Sequence, residues 1–275
     1  ALHDVAVVLH CAGPFSATSA PMVDACLRTG THYLDITGEM GVFEALRARG
    51  KEAAAAGVML LPGIGFDVVP TDAVAGWLKE RMPEATHLEL AFASVGGGTS
   101  QGTQKTAAEN LHRGGAIRVD GKIRPVPPAY QTRRIVFSDG KERLVVSIPW
   151  GDVSTAWAST RIPNIVVFMA APPKLVRAMK FVKLVRPLLA TGPVQSFLRS
   201  RIEKGPAGPS DAQRAAGISL IWGEARDADG AVIVEQLQTV EGYTLTARSG
   251  LLACGKVLAG AAKPGYQTPT TAFGA

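Results

Sequence analysis

The sequence predicts an α/β protein: an incomplete doubly wound parallel sheet joined to an α+β unit with a mainly antiparallel sheet. Three observations lead there. Strand-like apolar runs alternate with helix-like runs over residues 1–82, the order that builds parallel sheets. Beyond them, alternating segments joined by tight turns take over, as antiparallel hairpins require. The chain also opens on a strand, so the parallel part shows three of the roughly six strands such a sheet carries.

The elements follow in order. Residues 4–10 (DVAVVLH) form a short apolar run before Ala12-Gly13-Pro14, as expected of a strand buried on both faces. A helix is expected over 17–29, where Ser19 can cap, Pro21 suits an early position and Met22, Cys26 and Leu27 recur at helical spacing before Gly30. Residues 32–36 and 58–61 read as the next strands, with a helix over 42–56 between them and another over 71–82 after the Pro62-Gly63-Ile64-Gly65 turn. Residues 87–94, 133–138, 144–148, 217–226 and 232–241 read as strands of the second sheet, the last two joined by Asp227-Ala228-Asp229-Gly230. Helices are expected over 104–113 and 243–261. The domains implied are 1–82 together with the tail 263–275, and 83–262 as a substrate or dimerisation domain.

A content of 47% hydrophobic and 19% charged residues suits a packed core. Cys11, Cys26 and Cys254 are odd in number and show no ligand spacing, which speaks against a disulfide framework or a metal site and for reduced, cytoplasmic thiols. The longest charge-free apolar stretch, 162–173, contains three prolines and is too short to span a bilayer. The net charge of +6 is concentrated in the insertion 172–204, where eight cations stand against Glu203 alone. With the remainder near neutral, a nucleic-acid surface is not expected. Read as a helix, this segment puts Leu175, Ala178, Met179, Val182, Val185 and Leu189 on one face. Lys174, Arg177, Lys180 and Lys183 lie opposite, interrupted by Phe181, Leu184 and Leu188. Two readings suit it: an anionic membrane surface met by 174–188, or a helix packed on its own domain or on a second copy of the chain in a homodimer, with the lysines in water.

Chemistry is expected where the parallel strands end. In Cys11-Ala12-Gly13-Pro14-Phe15, the glycine admits close backbone approach to a flat ligand and the phenyl ring can pack on it. Residues 62–70 (PGIGFDVVP) lie between a strand and a helix, but Val68 replaces the third glycine of a dinucleotide turn. They read as a tight turn with a ligand-facing edge. Asp35, Glu39 and Asp67 sit at strand ends where a carboxyl could exchange a proton with substrate. Each also has a structural role open to it: Asp35 on loop amides, Glu39 capping the next helix, Asp67 bracing its turn. Tyr33 shares a strand face with Asp35 and is a neutral alternative donor, while His32 packs on the other face.

Cys11 to Phe15, Ala25-Cys26 and the run Gly30-Thr31-His32-Tyr33-Leu34-Asp35-Ile36-Thr37-Gly38-Glu39 resemble the central block of the saccharopine dehydrogenase-like oxidoreductases. Pro62-Gly63, Gly65-Phe66-Asp67, Val69-Pro70-Thr71-Asp72, Gly97-Gly98-Thr99, and the tail Gly265-Tyr266-Gln267-Thr268-Pro269 with Ala272-Phe273-Gly274 continue the resemblance in order. It implies an incomplete Rossmann-type domain without the N-terminal glycine-rich turn that holds a pyrophosphate. It further implies hydride transfer between NAD or NADP and a small, apolar or lipid-like molecule. Cys11, Ala12, Gly13, Pro14, Phe15, Gly38, Pro62, Gly63 and Phe66 would then face the nicotinamide end, with Tyr33, Asp35, Glu39 and Asp67 nearest the chemistry. Arginine is absent from 62–75, which departs from members that bind dicarboxylates. The chain as it stands is expected to bind NAD(P)H poorly or not at all, and to be inactive by itself. A different class of reading is a non-catalytic relative that serves as a membrane-surface or protein-interaction module.

Overall fold

The computed structural model describes residues 2–104, 114–189 and 191–275, with side chains at 182–189, 195, 198 and 199 outside the described set. The helix expected over 104–113 therefore lies outside it, as do the side chains of Val182, Lys183, Leu184, Val185, Arg186, Leu188, Leu189 and Arg199.

The short apolar runs form a four-stranded parallel sheet. In chain order its elements are β1 (Val7–His10), α1 (Phe15–Thr29), β2 (His32–Asp35), α2 (Met40–Ala48), α3 (Gly50–Ala55) and β3 (Met59–Leu61). The fourth strand, β12 (Gly265–Tyr266), comes from the distant tail and pairs with β3, giving the order β1-β2-β3-β12. One face, with Tyr33 and Leu60, packs on Val23 and Cys26 of α1 and Leu46 of α2. The other, with Leu34, Met59 and Leu61, packs on Ala253 of α9 (Gly242–Lys256). The alternation of faces along each strand is what buries both. Gly30 ends α1 in the left-handed conformation at φ 72°, its amide returning to the Cys26 carbonyl, a cap that glycine adopts without steric cost. The helix expected over 42–56 is broken between α2 and α3, where Gly50 lies against Tyr266 of β12 so closely that a Cβ would come within 3.1 Å of it.

The second sheet comprises β4 (His87–Val95), β5 (Gly115–Val119), β6 (Lys122–Val126), β7 (Thr132–Val136), β8 (Glu142–Ser147), β9 (Asn164–Ala170), β10 (Ile218–Arg226) and β11 (Val232–Val240). Its order is β11-β10-β4-β9-β5-β6, with the β7–β8 hairpin also joined to β9. It is mixed, because β4 and β9 run parallel. The apolar stretch at 162–173 thus supplies an interior strand. Helix α4 (Val69–Arg81) packs against β10 and β11 of this sheet, against α5 (Asp152–Thr160) and against α10 (Pro269–Phe273). The basic insertion forms α6 (Pro173–Leu189) and α7 (Gly192–Glu203), followed by α8 (Asp211–Ala216). The helix expected over 243–261 stops as α9 at Lys256 and closes with a π-helical turn, Val257–Ala261, in which Gly260 has φ 89°. Among the described residues, no helix is long and apolar enough to cross a membrane.

Two contacts fix α4. Gly223 of β10 lies directly beneath it: a Cβ there would stand 2.5 Å from Val74 and 2.8 Å from Leu78. Gly223→Ala is therefore expected to cost about 1–3 kcal/mol through overpacking, read as a lowered urea midpoint; an unchanged midpoint would contradict that packing. At the other side the fully buried Asp72 accepts hydrogen bonds from Ser159 Oγ of α5 and from the Thr270 amide of α10, and its own carbonyl accepts from Thr270 Oγ1. One carboxyl thereby ties the tail to both neighbouring helices.

Candidate active site

Because all strands of the first sheet point the same way, their carboxyl ends deliver three loops to one edge: 11–14 after β1, 36–39 after β2 and 62–68 after β3. Two carboxylates stitch these loops together. Glu39 accepts from the Phe15 and Ser16 amides at 2.7 and 3.0 Å, so it caps α1 across the loops instead of its own following helix. A negative charge there is favourable because those first amides have no partner within the helix. Glu39→Ala is expected to lower stability by about 1–2 kcal/mol; a thermal-unfolding midpoint equal to the parent's would show that water replaces the cap.

Asp35 performs the second stitch. Its Oδ1 accepts from the Thr37 amide at 3.0 Å and the Gly63 amide at 2.9 Å, and its Oδ2 from the Tyr33 hydroxyl at 2.7 Å. His10 Nδ1 lies 3.1 Å from the same hydroxyl, so that His10, Tyr33 and Asp35 form a buried hydrogen-bonded line. Burial pushes the Asp35 carboxyl up to about 6, against the three hydrogen bonds, which pull it down. Burial and the neighbouring Asp35 also push the Tyr33 phenol up. Tyr33 is fully buried, and its hydroxyl is enclosed by protein partners. His32 lies on the opposite strand face, with Nδ1 accepting from the Met59 amide at 3.1 Å.

Asp67 is different. It is half-buried, no protein group hydrogen-bonds its carboxyl among the described residues, and burial alone pushes it up to about 6. It lies over the backbone of Gly38, where a Cβ would approach Oδ2 to 2.2 Å. Glycine at 38 is thus a condition for the position of Asp67.

The remaining expected contacts divide. Cys11, Ala12, Gly13 and Pro14 are exposed at the edge, and Gly38 and Phe66 are half-buried beside it. Phe15 turns inward, its ring edge-on to His10 at 5.3 Å, and is 9% exposed, so it offers no open face to a ligand. Pro62 and Gly63 are buried; Gly63 has φ 75°, and a Cβ there would meet Phe43 and Val68 at 2.8 Å. Their contacts are with the protein.

Several neighbours come from distant sequence. Thr246 and Ser249 of α9 hold the third loop, Thr246 Oγ1 accepting from the Phe66 amide and Ser249 Oγ donating to the Ile64 carbonyl. Phe66, Phe92 and Trp150 form an aromatic row, with ring centroids 5.6 and 4.8 Å apart. Among the described residues, Trp150 Nε1 is buried without a partner, as is Oδ2 of the fully buried Asp152, whose Oδ1 accepts from Thr71. Burial, with Asp72 and Asp67 nearby, pushes Asp152 well above the usual carboxylate range. No local spacing announces these residues; the Gly151-Asp152 step at the start of α5 is the sole hint.

Comparison with known proteins places this arrangement. No protein-family model matches the chain. A saccharopine dehydrogenase-like oxidoreductase of Bos taurus is 30% identical over 172 residues, covering 56% of this chain and 39% of that protein. Over those residues the chain is similar to the saccharopine dehydrogenase-like oxidoreductases. A trans-acting enoyl reductase of Mycobacterium leprae is 42% identical over 85 residues, 30% of this chain and 20% of that protein. The chain thus spans well under half the length of either curated relative. Saccharopine dehydrogenase (L-Glu forming) from Saccharomyces cerevisiae superposes with a TM-score of 0.59 at 14% identity, over 97% of this chain and 79% of the other. That likeness establishes a shared α/β architecture.

Proposed function

We propose that this chain forms the nicotinamide-facing edge of an oxidoreductase site, where hydride passes between NAD or NADP and a small apolar substrate while Asp67 exchanges the proton. The observation that carries this reading is the Asp67 carboxyl, without a hydrogen-bond partner among the described residues and lifted by burial to about 6. A general acid or base works best with a pKa near the operating pH. The nicotinamide supplies the hydride when bound. The exposed backbone of residues 11–14 leaves an open margin that suits such a ring. The helix N-terminus at α1 does not suit a pyrophosphate, since Glu39 already takes its first amides.

The aromatic row of Phe66, Phe92 and Trp150 supports an apolar substrate, and an enoyl group, as in the name of the mycobacterial relative, meets that description. A dicarboxylate is disfavoured. The buried Arg118 is already committed to the Val153 and Gly121 carbonyls and to Glu44, and residues 62–75 contain no arginine. Titration of isotope-labelled protein with reduced nicotinamide mononucleotide tests the site: amide shifts should concentrate at Cys11, Ala12, Gly13, Gly38, Phe66 and Asp67. Shifts confined to the second sheet would refute it.

A further inference from the structure

The helical pair α6–α7 takes no part in that chemistry, yet it holds the strongest charge imbalance in the chain. Its described side chains show how it is mounted. Between residues 172 and 181 only Val176 is buried and Met179 half-buried; Lys174, Leu175, Arg177, Ala178, Lys180 and Phe181 are exposed. The packing face thus centres on Val176 and Met179 instead of on the Leu175–Ala178 side that the apolar pattern suggests. Directly opposite stands Phe181, 66% exposed and, at 3.6 residues per turn, within about 40° of both Lys174 and Arg177. On α7, Phe197 is 64% exposed, with Arg201 and Lys204 exposed further along.

We propose that α6–α7 docks on an anionic lipid surface, with Phe181 and Phe197 entering the acyl boundary and Lys174, Arg177, Lys180, Arg201 and Lys204 meeting the headgroups. Among the described residues none of these five cations has a carboxylate partner, and Arg177 bonds only to the Pro173 carbonyl. A large apolar ring set among uncompensated cations asks for phosphate and hydrocarbon at once, which a lipid surface supplies. A second copy does not. Self-association through a twofold axis would set this patch against itself, cation against cation.

Flotation with vesicles of phosphatidylcholine, alone or mixed with phosphatidylserine, at low and high salt, tests the proposal. Binding is expected only to the mixed vesicles and should fall as salt rises. Lys174→Ala with Lys180→Ala should weaken it roughly fivefold per cation, and Phe181→Ser with Phe197→Ser about tenfold or more. Circular dichroism would verify that both variants remain folded. Equal binding to neutral vesicles, no binding to either, or binding indifferent to the phenylalanine changes would overturn the proposal. So would a two-chain mass in light scattering that Phe181→Asp reduces to one.

Discussion

Replacing Asp67 with Asn is expected to separate stability from activity. The carboxyl titrates near 6 in the folded protein because of burial, above its ordinary value, so its favourable contribution is complete in acid and lost as pH rises through about 6. At pH 7.5 the parent therefore holds a partly buried, unpaired carboxylate, and Asn should stabilise by about 1–3 kcal/mol. That advantage should vanish as the pH falls toward 4. On the proposed function, turnover of an enoyl thioester with NADPH or NADH by a protein that carries this chain together with a pyrophosphate site should meanwhile drop about 10²- to 10⁴-fold. Denaturation across pH and initial rates read the two effects separately. A variant that keeps its rate would remove Asp67 from the chemistry, whatever its stability does.

Asp35→Ala is expected to be the most destabilising single change at the sheet edge. It strands the Thr37 and Gly63 amides and leaves the Tyr33 hydroxyl with His10 alone, in a region closed to water, and the loss should reach about 3–5 kcal/mol. Asp35→Asn retains one acceptor oxygen and should lose less. Since burial also raises Asp35 to about 6, it adds to the same trend as Asp67: parent stability should increase as pH drops from 7 to 5. Urea unfolding at both pH values measures this, and a flat profile would show that water reaches these carboxyls.

The parallel half was legible because its strands carry continuous apolar runs, as in Val7–Leu9 and Met59–Leu61, the latter buried on both faces. The same signal is present in Asn164–Ala170, which forms an interior strand of the second sheet. The helix at Asp152–Thr160 was hidden by its composition: DVSTAWAST has small polar residues where apolar ones would mark a face, and Ser154, Thr155 and Ala156 are buried all the same. Of the site, the positions of the loops were readable, since strand direction dictates them. The division of labour among the carboxylates was not. Whether Glu39 caps its own helix or α1, and whether Asp67 has a partner, depends on segments that meet only after folding. Thr246, Ser249 and Trp150 lay out of reach for the same reason.

The pairing of β12 with β3 has a consequence for biosynthesis. Leu60 waits for Tyr266, and at about 5–20 residues per second a ribosome takes on the order of 10–40 s to supply it. Throughout that interval the nascent chain carries an unfilled edge on a wholly apolar strand, the kind of edge that recruits strands from other chains. Completion of the first sheet thus waits for the synthesis of about two hundred intervening residues, and any chaperone that shields Met59–Leu61 must hold on until Gly265–Tyr266 arrives.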